Sequence, residues 1–238
     1  MNQSIHLVHL YPVEMNIYGD TGNRIVLTKR LAWRGIDVKT SLVGIGDELP
    51  LDSDIILGGG AQDAAQSAVE VDLAKKAKSL AKLAEDGAVM LMVCGMYQLL
   101  GRRFVTADGQ DIKGMGILPV ETLASHDRMI GNTAYQTPWG EVVGYENHSG
   151  KTFLDDQDMA WGKVVKGAGN NGADRLEGCL YHNIFGTYSH GPVLSKNPHF
   201  ADELIRRALA RKYGSANLKP LDDAAELAAA KAARSRPR

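Results

Sequence analysis

The sequence predicts one α/β domain built on a parallel sheet, and three observations carry that prediction. The runs IHLVHLY (5–11), DIIL (54–57) and AVMLMV (88–93) are short and apolar without alternation, as in strands buried on both faces. Turn residues follow each run, and helical spacing of apolar side chains follows the turns. At 238 residues the chain suits one such core with insertions better than two equal domains.

The elements follow in order. Residues 5–11 are the first strand. Pro12 and the turn-rich NIYGDTGN (16–23) lead to RIVLTKRLAWRG (24–35), where Ile25, Val26, Leu31, Ala32 and Trp33 suit one face of a helix closed by Gly35. Ile36–Leu42 is the next strand, and a loop with Asp47 and Pro50 follows. The strand at 54–57 runs into Gly58-Gly59-Gly60 and then into a helix that reaches Glu85. The run at 88–93 stops at Cys94-Gly95, and Met96, Leu99 and Leu100 resume helical spacing. From Arg102 the texture becomes short, glycine-rich alternating segments, which read as antiparallel hairpins elaborating the main sheet. GAGNNGAD (167–174) reads as a loop with nothing to pack. Ile184–Tyr188 is a strand whose carboxyl end continues into Ser189-His190-Gly191-Pro192. Asn197 then caps a helix with Pro198 at its first position, running through Ala210. The main domain spans 1–214; the Ala-rich, basic-ended stretch 215–238 reads as a weak helix or disordered tail with no chemistry.

Composition removes several function classes. Lys plus Arg number 27 against 28 Asp plus Glu, so no bulk attraction to nucleic acid or an acidic membrane is expected. No apolar run approaches the ~20 residues that span a bilayer, and the N-terminus has no signal-like pattern. The expected compartment is a reducing cytoplasm, where the two cysteines, Cys94 and Cys179, stay free thiols. No H-x-E-x-H or C-x-x-C spacing exists, so no metal site is expected.

Cys94 sits where a strand turns into a helix. Such a turn pushes the side chain out at the sheet's carboxyl edge, beside helix N–H groups that stabilise an anionic sulfur. The Cys94-Gly95 turn is therefore a candidate nucleophile elbow; the alternative is a small core residue. Gly58-Gly59-Gly60 can present bare backbone N–H groups as an anion hole, or can be only a βα turn. It lacks the spacing of a P-loop or dinucleotide site. Adjacent parallel strands would bring both turns to one edge. Of seven histidines, His190 stands out because it leaves a core-like strand among small residues.

ILGGGAQD (56–63), VCGMYQLLG (93–101) and YSHGP (188–192) stand in the order of a known family. The chain resembles class I glutamine amidotransferase domains of the cobyric-acid-synthase-like type. NIYGDTGN, HDRMIGN (126–132) and HGPVLSKNP (190–198) are most similar to the glutamine amidotransferase subunits of lipid II isoglutaminyl synthases, over about residues 5–212. The resemblance implies a three-layer α/β/α sandwich and a glutaminase. Cys94 would attack the side-chain amide of L-glutamine, and His190 would help release ammonia. The N–H groups of Gly60 and Gly95 would hold the oxyanion, Arg128 would bind the α-carboxylate, and Gln98 would contact the substrate amide. It further implies no cofactor in this chain: a Mur-ligase-like synthetase partner (MurT), in a heterodimer, would bring ATP, Mg²⁺ and lipid II, and would amidate D-glutamate to D-isoglutamine.

The sequence departs from the wider class at one position. Many class I enzymes carry an acidic residue two positions after the histidine, where this chain has Pro192. Either Cys94 and His190 act as a dyad, or a carboxylate arrives from Asp20 or from a partner. Three other readings stay open. An amidotransferase for a cobyrinate-like precursor would share the nucleophile motif. A stand-alone cysteine hydrolase would turn over without a partner, and a non-catalytic scaffold would tolerate Cys94→Ala.

Overall fold

The computed structural model describes residues 3–61, 63–106 and 109–236; Gln62 of the 56–63 motif and the ends of the two domain ranges (Met1, Asn2, Pro237, Arg238) lie outside them. The continuous apolar runs form the middle of a six-stranded sheet. Its strands are β1 (Ser4–Leu10), β2 (Asp37–Val43), β3 (Ile55–Gly58) and β4 (Val89–Val93), joined later in the chain by β11 (Cys179–Tyr181) and β12 (Ile184–Thr187). The order is β11-β12-β4-β3-β1-β2, parallel throughout except that β11 runs against β12. β3 and β4 are buried at every residue, while the edge strand β2 is largely uncovered.

Topology fixes the layers. Helix α1 (Thr21–Ala32) connects β1 to β2 in one direction across the sheet, and α2 (Asp63–Glu85) connects β3 to β4 in the other. Right-handed crossovers in opposite directions put the two helices on opposite faces. Helix α4 (Pro198–Tyr213) packs beside α1, completing three layers. Strand order reverses between β1 and β3, and the crevice at the carboxyl ends of such a pair is where α/β sheets bind ligands.

The hairpin region forms a second sheet. It comprises β5 (Arg103–Val105), β6 (Asp111–Lys113), β7 (Val120–Thr137), β8 (Gly140–Leu154), β9 (Gly162–Lys166) and β10 (Leu176–Glu177), with the long β7–β8 hairpin at its centre. Between β4 and β5 lies the short helix α3 (Gly95–Leu100).

Three local expectations are corrected. In α1 the buried side chains are Asn23, Leu27, Arg30 and Leu31, whereas Ile25 and Trp33 face outward. Arg30 tolerates burial because Asp202 and Asp223 take its guanidinium at 2.7 and 2.6 Å. The loop at 167–174 packs after all: Asn170 exchanges hydrogen bonds with Gly178 at 2.9 Å in both directions, and Asn171 donates to the Thr152 carbonyl at 3.1 Å. These side-chain amides supply inside the protein the bonds a strand ladder would give. Asn197 precedes α4 but its side chain does not cap it; it pairs with both backbone groups of Val143, at 2.9 and 2.7 Å, tying the helix to β8. Beyond Gly214 the chain forms helix α5 (Ala224–Ser235), packed near β7 and β8.

Candidate active site

The carboxyl ends of β3, β4 and β12 lie side by side, with Gly58 paired to Met92 and Thr187 to Val93. Cys94 ends β4 with φ 51° and ψ −107°, a conformation that side-chain-bearing residues rarely adopt and that costs about 1 to 3 kcal/mol. Its N–H donates to the Thr187 carbonyl at 2.8 Å, which locks the elbow to β12. His190 leaves β12 three residues later and is fully buried. Gly60 shows how close the two side chains are: a Cβ placed on it would lie 2.8 Å from His190 Cε1 and 3.2 Å from Cys94 Cβ. The Cys94 Cβ and the His190 imidazole therefore border one glycine, and only glycine fits between them.

His190 is held on three sides. Its backbone pairs with Tyr145 of β8, donating at 2.8 Å and accepting at 3.3 Å. The Tyr18 ring tilts against the imidazole at 4.5 Å between centroids. Asp20 Oδ1 lies 3.9 Å from Nδ1, too far for a hydrogen bond and close enough for charge attraction. Burial lowers the imidazole pKa, but the negative charge of a Cys94 thiolate and then of Asp20 outweighs it and raises the pKa to about 10. The histidine is thus a proton donor facing the cysteine at neutral pH. Cys179 differs: it is fully buried in β11, and that burial pushes its thiol up to about 12.

The loop that carries Asp20 clasps the glycine run. Asp20 Oδ2 accepts the Gly60 N–H at 2.9 Å, and Ile17 donates its N–H to the Gly60 carbonyl at 3.2 Å. A Cβ on Gly59 would sit 2.1 Å from the Met15 carbonyl oxygen, and one on Gly22 would sit 2.2 Å from Pro192. Glycine at these positions lets the loop close onto the His190 segment. The clasp corrects one expectation: the Gly60 N–H, as a free oxyanion donor, is already engaged by Asp20. The Gly95 N–H opens α3 and has no protein acceptor among the described residues.

The other two expected residues part company. Gln98 is buried, and its amide nitrogen donates to the Tyr188 hydroxyl at 3.1 Å, in a network where Tyr188 also meets Thr152 at 2.6 Å. Gln98 is therefore a buried residue bonded within the protein and not a solvated helix position. Arg128 lies on the rim, exposed, with Nε donating to Asn147 Oδ1 at 2.6 Å.

Several contributors were not singled out in the sequence. Tyr18 and Asn147 join Arg128 to His190, and Tyr145 pins His190. Glu177, fully buried, accepts from Thr187 Oγ1 at 2.6 Å and from the Tyr188 N–H at 3.0 Å, fixing the turn that leads to His190. The one available signal was a lone acid among apolar residues, LEGCLY (176–181). Among the described residues no group of three His, Cys, Asp or Glu side chains could hold a metal ion, and no helix is long and apolar enough to cross a membrane.

A strained cysteine elbow beside a buried histidine, at the carboxyl edge of a three-layer sandwich, is the arrangement of a class I glutamine amidotransferase fold. Solved structures of that fold align along the chain. The glutaminase domain of Trypanosoma brucei CTPS covers 91% of this chain and 96% of its own, with a TM-score of 0.55 at 11% identity. The PurLQS structure from Thermotoga maritima covers 88% and 98%, with a TM-score of 0.51 at 18% identity. The profile of the CobB/CobQ-like glutamine amidotransferase domain matches residues 6–198, and the chain belongs to that family. Among curated relatives, the lipid II isoglutaminyl synthase (glutamine-hydrolyzing) subunit GatD of Streptococcus pneumoniae is 39% identical over 88% of this chain and 82% of its own length. GatD of Staphylococcus aureus is 36% identical over 94% and 92%.

Proposed function

We propose that this chain is the glutamine-hydrolysing subunit of a lipid II isoglutaminyl synthase. The observation that carries the chemistry is the placement of Cys94 and His190 against Gly60. The Cys94 thiolate attacks the side-chain carbonyl carbon of L-glutamine, and the His190 imidazolium gives its proton to the departing nitrogen. Ammonia leaves and a glutamyl thioester remains. Neutral His190 then takes a proton from water as the water attacks the thioester, releasing glutamate and restoring the ion pair. Gly95 N–H stabilises the oxyanion; losing such a donor costs about 3 kcal/mol of barrier.

Arg128 binds the α-carboxylate of glutamine through its terminal nitrogens, a fork that lysine would not reproduce. Asp20 is the third member of the triad, supplying the charge that the position of Pro192 lacks. The two GatD relatives, covered to 82% and 92% of their lengths, support the choice of acceptor. The ammonia passes to a Mur-ligase-like synthetase (MurT) in the cytoplasm, which brings ATP and Mg²⁺ and converts the D-glutamate carboxylate of the lipid II stem peptide to D-isoglutamine.

The test is co-purification from the native cell, followed by amidation of lipid II with glutamine or ammonia as nitrogen source. The expected result is glutamine-dependent amidation that Cys94→Ala abolishes and ammonia restores. Amidation that stays glutamine-dependent in Cys94→Ala would overturn the proposal.

A further inference from the structure

A line of contacts leads from the rim of the site to its centre, through two residues so far given no role in the reaction. The register of β7 against β8 shifts between Ala124 and Met129, so residues 125–128 leave the ladder. Such a bulge re-aims the side chains it carries. It places Arg128 over Asn147, where Nε donates to Asn147 Oδ1 at 2.6 Å. Asn147 Nδ2 in turn donates to the Tyr18 hydroxyl at 2.5 Å, and the Tyr18 ring lies against His190. Tyr18 stands two residues before Asp20, in the loop that grips both backbone groups of Gly60.

We propose that Asn147 and Tyr18 are positioning residues that hold Arg128 for the amino-acid head of glutamine and tie its occupancy to the placement of His190. The inference rests on the glutaminase reading above and deepens it. The chemistry of the line supports the assignment. An exposed arginine is a flexible side chain, and orienting it at every encounter carries an entropy cost. Fixing Nε to Asn147 removes much of that cost and leaves both terminal nitrogens, which have no protein partner among the described residues, directed outward as a fork. Asn147 can perform this task only in one amide orientation, with oxygen toward Arg128 and nitrogen toward an acceptor. The Tyr18 hydroxyl is that acceptor.

Two thiol reagents separate positioning from general structure, applied to the chain together with its co-purifying partner. 6-Diazo-5-oxo-norleucine carries the amino-acid head of glutamine, and iodoacetamide does not. Asn147→Ala and Tyr18→Phe are expected to slow labelling of Cys94 by the diazo compound by about tenfold, and to leave alkylation by iodoacetamide within about twofold. Tyr18→Phe keeps the ring on His190, so it preserves the packing should Asn147→Ala fold poorly. Unchanged labelling by the diazo compound in both variants would overturn the proposal, as would equal slowing with both reagents. If the unmodified chain is alkylated by iodoacetamide but never labelled at Cys94 by the diazo compound, the glutaminase reading fails, and the inference with it.

Discussion

Replacing Asp20 by asparagine isolates the charge that the site places behind His190. Asparagine keeps an oxygen for the Gly60 N–H, which Asp20 accepts at 2.9 Å, so the clasp is retained while the charge is lost. At the 3.9 Å between Asp20 Oδ1 and His190 Nδ1, two unit charges interact by roughly 4 kcal/mol at an effective dielectric of about 20. That figure is an upper bound, and opposite charges at such distances displace a titration by about 1 to 3 pH units. His190 titrates at about 10, above its ordinary value, so the imidazolium form is complete at neutral pH and disappears as pH rises through about 10. Asp20→Asn therefore moves the alkaline limb of kcat/KM for glutamine hydrolysis down to about 7 to 9. The assay is the pH profile of ammonia release by the chain with its partner. An alkaline limb in Asp20→Asn that coincides with that of the unmodified protein would refute the reasoning and assign the third carboxylate elsewhere.

Two further predictions follow from the same geometry. Gly60→Ala puts a methyl group 2.8 Å from His190 Cε1 and 3.2 Å from Cys94 Cβ. It should lower kcat by about a hundredfold, because misplacement of reacting groups by about 1 Å has that effect; steady-state kinetics check it. Glu177 is fully buried, and burial raises its carboxyl to about 7. The folded state thus holds a proton that the unfolded state releases near 4.5, and the stability this brings is complete below 4.5 and lost as pH rises through about 7. Glu177→Gln should flatten that dependence by at most roughly 3 kcal/mol, and denaturant melts at pH 4.5 and 8 measure the difference.

The sequence made the central strands legible because burial on both faces leaves a continuous apolar run, and β3 and β4 lie where those runs stand. Cys94 was legible for the same reason: the run stops abruptly at a turn residue. Arg30 was not, since an arginine at a helix position reads as solvated until Asp202 and Asp223, far along the chain, are brought to it. The same holds for the 16–20 loop. Its glycines and polar residues signal a turn, but they do not say that the turn folds back to take the Gly60 N–H and face His190. Periodicity also misplaced Trp33, because the narrow buried stripe of α1 runs through Leu27 and Leu31 instead. What stayed hidden was long-range pairing of polar groups, for which no local pattern exists.

In the proposed thioester, Cys94 Sγ carries the glutamyl group. Acid quenching of the complex during glutamine turnover, followed by mass spectrometry of its peptides, observes that step directly. The predicted result is a glutamyl adduct on the peptide that contains Cys94, absent from Cys94→Ala. Full glutamine hydrolysis by Cys94→Ala, or an adduct on Cys179 instead, would contradict it.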